Sequence, residues 1–350
     1  MSALCFNMAH AVSAEERCSG RLPQMFALVT GASGLLGRHL IEELCRRGNR
    51  VRAFDLKPPS SLPPGVDFVR GDIRNAETVR AACEGVEVVF HLAGLMPQSR
   101  ASAEVFHSVN VRGTENVLSA AVGESARRFV YASTVEVYGI PDHIPCAEDA
   151  PKKLLGVYSR NKLDCEELGT KYSADFGLEV VMMRMPMLLG PGFYHDKFFV
   201  KLLDDLGRGK PLYIVGNGEN RHQMVACSDV VEAYLLAAEL PSAAGEAFNI
   251  ASDPATVPTV REMAEQAIAR LGSRSKVKCV NKTLGRAALS FMSAIGRPLL
   301  MDEHRELAFA DYVFDIEKAK NLLGYAPRKD NVDAIVETAQ WRWKDQGLAP

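Results

Sequence analysis

The run Phe26-Ala27-Leu28-Val29-Thr30 passes directly into Gly31-Ala32-Ser33-Gly34-Leu35-Leu36-Gly37, and this junction constrains the fold more than any other stretch. The apolar residues of Arg38 to Arg47 then recur at helical spacing, so the order is strand, tight loop, helix. Such a loop leaves backbone N–H groups bare at a helix N-terminus, where a pyrophosphate can sit. Glycine is required where a Cβ would block the turn, the approach of phosphates or helix–strand packing. The spacing is Gly-x-x-Gly-x-x-Gly, and its context, more than the triplet itself, makes it a nucleotide loop.

A second strand, Val51 to Asp55, ends in a carboxylate about 20 residues beyond the glycine loop, where an acid belongs that binds ribose hydroxyls and repels a 2′-phosphate. Asp55 therefore favours NAD over NADP, although Arg38, Arg52 and Lys57 pull the other way. Further apolar runs follow at Val66–Val69, Val86–Gly94, Arg128–Thr134 and Leu178–Met183, alternating with helical patterns, and Ala247–Ala251 adds one more strand. That alternation implies an α/β fold with a doubly wound parallel sheet of Rossmann type. Glycine and proline punctuation past Pro186 marks a change of character. We expect an NAD-binding domain over residues 25–185, to which 225–253 cross back, and a smaller, mainly C-terminal substrate-binding lid from 186–224 and 254–350.

The chain has 350 residues, 47% of them hydrophobic, enough for a large core. Lys and Arg number 41 against 43 Asp and Glu, so no basic excess supports nucleic-acid binding. The eight cysteines form no Cys-x-x-Cys pair and no zinc spacing, so no metal is expected, and they read as reduced cytoplasmic thiols. No segment reaches the roughly 20 apolar residues that span a bilayer. Residues 1–24 read as a disordered extension without the features of a signal peptide.

Tyr158 and Lys162 lie one helical turn apart on one face of an expected helix. An ammonium beside a phenol, with the charge of an oxidised nicotinamide, favours the phenolate and suits Tyr158 to general acid/base work. Thr134, at a strand's C-terminal end, is placed to hydrogen-bond the same substrate oxygen. His91 reads as a packed histidine at a strand end.

These pieces come together with Gly71-Asp72-Ile73, His91-Leu92-Ala93-Gly94, Asn110-Val111-Arg112-Gly113-Thr114, Tyr131 to Gly139 and Phe314 to Ala319. In this order the chain resembles an extended short-chain dehydrogenase/reductase of the NAD-dependent epimerase/dehydratase group, from Phe26 to about Trp343. The resemblance implies hydride exchange between NAD and a secondary alcohol or its ketone. It implies Tyr158 as proton shuttle, Lys162 on the nicotinamide ribose, Thr134 orienting the substrate oxygen, and Ser133 as the neighbouring candidate. The implied cofactor set is Gly31, Ser33, Gly34, Leu35, Leu36, Gly37, Asp55, Asp72, Ile73, Leu92, Ala93, Gly94, Asn110, Tyr158, Lys162 and Pro186. The implied substrate set is Thr134, Glu136, Met187 and Arg221. It also implies a homodimer through helices near Ala103–Ala121 and Ser159–Tyr172.

Departures from the group bear on the substrate. Arg184-Met185-Pro186-Met187 lacks the asparagine that contacts a diphosphate in sugar-nucleotide members, whereas Arg221 stands where the group places a phosphate-binding arginine. Val135-Glu136 replaces the Asp-Glu pair of sugar 4,6-dehydratases, which argues against elimination. The expectation leans to a nucleotide-sugar epimerase. The apolar segment Leu289-Ser290-Phe291-Met292 and the tail Tyr312 to Asp315 support a second reading, a dehydrogenase/reductase on an apolar alcohol, resembling 3β-hydroxysteroid dehydrogenases and flavonol reductases. The third alternative is a non-catalytic NAD-binding protein.

Overall fold

The computed structural model describes residues 24–99, 101–285, 287 and 306–348. Residues 1–23 of the expected extension over 1–24, and the apolar segment Leu289–Met292, lie outside the described residues.

Strand β1 (Phe26–Thr30) is buried along its whole length. It leads through the glycine loop into α1 (Leu35–Arg46), which turns Leu36, Leu40, Ile41 and Leu44 inward. Then follow β2 (Arg50–Asp55), β3 (Asp67–Arg70), α2 (Ala76–Cys83) and β4 (Val88–His91). A short helical turn, Ala103–Phe106, runs through a π-type segment, His107–Arg112, into α3 (Gly113–Gly123). After it come β5 (Arg128–Thr134), α4 (Val157–Phe176) and β6 (Glu179–Met185).

The chain continues with β7 (Met187–Leu189), α5 (Lys197–Gly207), β8 (Leu212–Val215), β9 (Met224–Ala226), α6 (Cys227–Glu239) and β10 (Ala247–Asn249). It closes with α7 (Val260–Leu271), β11 (Val277–Val280), α8 (Glu317–Leu323) and α9 (Asn331–Gln346).

The central sheet has seven strands in the order β10-β6-β5-β4-β1-β2-β3, every pair of neighbours parallel. The chain winds outward from β1 to β3, then restarts at β4 on the other side of β1 and winds the opposite way. The strand order therefore reverses between β1 and β4, and a crevice opens at the carboxyl ends of the strands there. Both faces are covered. One apolar cluster joins α1, α6 and α9 to the sheet, and the other joins α2, α3 and α4 to its opposite face.

The segment holding α6 and β10 returns to this body: β10 pairs with β6, and α6 packs on α1. Two small parallel pairs, β8 with β11 and β7 with β9, lie outside the central sheet. Helices α5 and α9 and these short strands were not expected from the sequence, because distant segments bring together the surfaces they bury. No helix among the described residues is long and apolar enough to cross a membrane.

Candidate active site

A cavity of about 860 Å³ runs along the carboxyl edge of the sheet, from the glycine loop past Asp55 and Ile73 to Thr134 and Tyr158. The glycines make the first part possible. A Cβ on Gly31, whose φ is +70°, would stand 2.8 Å from the Ala93 nitrogen, and one on Gly37 would stand 2.3 Å from the Gly31 carbonyl oxygen. The loop thus lies against β4 and its own helix at distances that only glycine permits. Gly34 caps α1 and offers no side-chain hydrogen bond, so the first-turn N–H groups face the cavity without a capping partner.

Asp55 Oδ2 accepts a hydrogen bond from the Ser33 backbone N–H at 3.0 Å, which joins the end of β2 to the glycine loop. Arg38 does not face the ribose position. Its Nη2 donates to the Gly192 carbonyl oxygen at 3.3 Å and to the Tyr194 hydroxyl at 2.8 Å. Arg52 is spent on backbone carbonyls of α2 and its C-terminal end. Asp72, also in the lining, pairs with Arg74 at 2.5 Å, and that guanidinium holds its carboxyl below the usual range. Glycines that a Cβ would displace, a bare helix N-terminus and an acid at the β2 end fit a dinucleotide with an unphosphorylated ribose.

Tyr158, Lys162 and Glu166 project from one face of α4, each a turn after the last. Lys162 Nζ donates to the Ala132 carbonyl oxygen at 2.6 Å and lies 5.8 Å from the centroid of the Tyr158 ring. Burial lowers the Lys162 ammonium to about 8, and burial pushes the Tyr158 phenol well above its ordinary value, with Glu136 adding in the same direction. The expectation that Lys162 favours the phenolate is thus incomplete. The buried position holds the phenol neutral, and the Thr134 side chain opposes this only in part.

Thr134 and Ser133 both line the cavity, but their hydroxyls differ in duty. Thr134 Oγ1 accepts from the Glu136 N–H at 3.2 Å, and the Tyr158 hydroxyl donates to Met96 Sδ at 3.7 Å. Ser133 Oγ donates to Glu166 Oε1 at 2.5 Å, turning its proton away from a substrate. Glu166 in turn binds Arg184 through both oxygens, at 2.9 and 2.6 Å.

Of the remaining candidates, Leu35, Leu36, Leu92, Gly94, Pro186, Met187 and Glu136 lie in the cavity wall. Two stand apart from it. Asn110 is buried behind the wall, where its side chain accepts from Leu95 N–H at 2.7 Å and donates to the Leu95 carbonyl, shaping the loop after β4. Arg221 is 41% exposed, does not line the cavity and faces Asp311 at 3.9 Å. The wall holds its neighbour His222 instead, together with Gln98, His195 and Tyr312. Of these only Tyr312 stood in a stretch marked by the sequence, and only as part of an apolar tail. His91 is a packed histidine, its Nδ1 and Nε2 hydrogen-bonded to Thr30 at 2.8 Å and Thr114 at 2.9 Å.

A parallel sheet with a nucleotide cradle at its switch point and a Thr–Tyr–Lys group beside it defines a dinucleotide-dependent oxidoreductase architecture. The chain belongs to the NAD-dependent epimerase/dehydratase family, whose model matches residues 27–251, and it is an enzyme with NAD as its cofactor. It is similar to the uncharacterized protein y4nG of Sinorhizobium fredii, 33% identical over 93% of this chain and 80% of that one. It is also similar to a 3-beta-hydroxysteroid dehydrogenase of Mycolicibacterium neoaurum, 30% identical over 89% of each chain. Among solved structures it resembles MoeE5 in complex with UDP-glucose and NAD, with a TM-score of 0.75 and 27% identity over 91% of this chain and 99% of that one.

Proposed function

We propose that this enzyme oxidises an apolar secondary alcohol, or reduces the matching ketone, with net exchange of NAD and NADH. The observation that carries the reading is the cavity wall, to which Met96, Met185, Met187, Phe198 and Phe199 contribute apolar side chains. Among the described lining residues, the lysine and arginine side chains are Lys162, held by the Ala132 carbonyl, and Arg74, closed on Asp72. Neither is free to neutralise a diphosphate, and burying one unpaired is costly. The hydroxysteroid dehydrogenase among the relatives supports the same choice.

Bound NAD supplies the hydride acceptor at nicotinamide C4. Tyr158 takes the hydroxyl proton of an alcohol or gives one to a ketone, and Thr134 holds that oxygen. Burial keeps the Tyr158 phenol neutral, which prepares the acid role in reduction. The base role draws on the positive charges of Lys162 and the oxidised ring, because each favours the phenolate. Gly31, Ser33, Gly34 and Gly37 would hold the pyrophosphate and Asp55 the adenosine ribose.

A nucleotide-sugar epimerase is the second reading, favoured by the likeness to MoeE5 bound to UDP-glucose. The two separate cleanly. NADH formation from 5α-androstan-3β-ol, with no interconversion of UDP-glucose and UDP-galactose, is the expected result. Epimerisation without net NADH, lost in Arg221→Ala, overturns it. We further propose a homodimer through the helices near Ala103–Ala121 and Ser159–Tyr172, tested by light scattering. The scattered free thiols suit a cytoplasmic location.

A further inference from the structure

Met25, Met182, Met183, Met224 and Met263 are buried, as flexible apolar side chains usually are. Among the described residues two methionines are exposed, Met96 at 42% and Met187 at 38%, and both line the cavity. Met96 differs from Met187 in what it touches. It lies in the loop after β4, where the Asn110 side chain binds both the N–H and the carbonyl of Leu95. There the Tyr158 hydroxyl donates to Met96 Sδ at 3.7 Å. A thioether is a weak acceptor, so an incoming substrate oxygen displaces it at little cost. The same sulfur is polarizable and open to small molecules that enter the cavity.

We propose that Met96 is an oxidation site that switches off Tyr158: hydrogen peroxide converts its thioether to the sulfoxide, whose oxygen captures the Tyr158 hydroxyl. This rests on Tyr158 as the proton carrier and not on the class of substrate.

The step balances. A lone pair on Sδ attacks one peroxide oxygen and the O–O bond breaks. Both peroxide protons end on the departing oxygen, which leaves as water. Sulfur loses an electron pair and the peroxide gains it. The product is polar where the methionine was apolar. Its oxygen reaches one bond beyond Sδ and accepts from a phenol more strongly than sulfur does, so it competes with a substrate oxygen for the same proton. It also sets a dipole into a wall that Met185, Phe198 and Phe199 make apolar. Methionine sulfoxide is reduced enzymatically, so the loss is recoverable. No cysteine among the described residues lines the cavity, and Cys279, the exposed thiol among them, lies elsewhere.

The test adds hydrogen peroxide to the NAD-free enzyme until peptide mass spectrometry shows an added oxygen on Met96. Turnover of 5α-androstan-3β-ol with NAD is then compared with each protein's own untreated rate. The wild type and Met187→Leu should lose about tenfold, and Met96→Leu should keep its own rate. Methionine sulfoxide reductase should restore the wild type, where dithiothreitol alone does not. Carbon-13 NMR of tyrosine labelled at Cζ reads the hydroxyl directly, with Tyr158→Phe supplying the assignment. The Tyr158 signal should move on oxidation of the wild type and stay in place in Met96→Leu. An unmoved Tyr158 signal or an unchanged rate once Met96 is oxidised overturns the proposal. So does an equal loss in Met96→Leu, recovery with dithiothreitol alone, or a Met96 left unmodified while Met187 gains oxygen. An untreated enzyme that does not turn over the alcohol overturns the apolar-alcohol reading alone, and the NMR comparison then decides the switch.

Discussion

Glu166 on α4 grips Arg184 on β6 through both carboxylate oxygens, and both side chains are 7% exposed. Ser133 donates to the same carboxylate, and Arg184 also donates to the Tyr138 hydroxyl at 2.8 Å and the Glu148 carbonyl at 3.0 Å. Because Glu166 shares its helix face with Tyr158 and Lys162, this pair sets how α4 sits on the sheet. Removing one partner strands the other charge in the interior. Arg184→Met should cost about 3–5 kcal/mol in urea unfolding, and Glu166→Gln with Arg184→Met together less than either single loss would suggest. Strict additivity would show that the two do not act as a unit.

Tyr158→Phe deletes the hydroxyl proposed to carry the proton and keeps the ring. Turnover should fall by about 10²–10⁴-fold, with NAD affinity within twofold of the wild type. Stopped-flow measurement of NADH formation and fluorescence titration of the cofactor check the two halves. A variant that retains turnover would remove Tyr158 from the chemistry.

Burial lowers Lys162 from 10.5 to about 8 in the folded chain. Below pH 8 both states hold the proton and the folded state bears the full cost of the buried ammonium. Between about 8 and 10.5 the unfolded chain binds more protons, so stability from this group rises with pH. Lys162→Met should therefore be the more stable protein at pH 7, by up to about 3 kcal/mol, while losing activity. Its advantage should shrink as pH rises through that window. Parallel melting curves for the two proteins from pH 7 to 10 would contradict this.

Gly37→Ala places a methyl group against the Gly31 carbonyl and Ala32, both backbone. The loop cannot yield cheaply, so a loss of about 1–3 kcal/mol in stability is expected, with weakened NAD binding. Denaturant titration with and without NAD measures both effects. An unchanged NAD dissociation constant would mean that this turn does not shape the phosphate site.

Asp55→Ala removes the acceptor that holds the Ser33 N–H and the acid proposed to repel a 2′-phosphate. The ratio of NAD to NADP affinity should fall by about tenfold or more, read by competitive titration. Retained preference for NAD would assign the discrimination to another residue.

Much of this site is local in the chain and so was legible in it. The strand–glycine–helix junction, the acid closing β2, and Tyr158 and Lys162 one turn apart depend on backbone geometry within a few residues. The alternation of apolar runs and helical patterns likewise carried the parallel sheet, since strands covered on both faces must be apolar throughout. Tertiary structure decided the rest. Ser133 and Thr134 are adjacent hydroxyls with no local signal to separate them, yet Glu166 claims one and leaves the other beside Tyr158. Arg221 and His222 are equally plausible by sequence, but the bridge to Tyr312 sends the first toward Asp311 and the second into the cavity wall. Which of two neighbouring side chains meets a ligand depends on segments far away in sequence, and burial, which sets both the pKa of Lys162 and the polarity of the pocket, exists only once those segments pack.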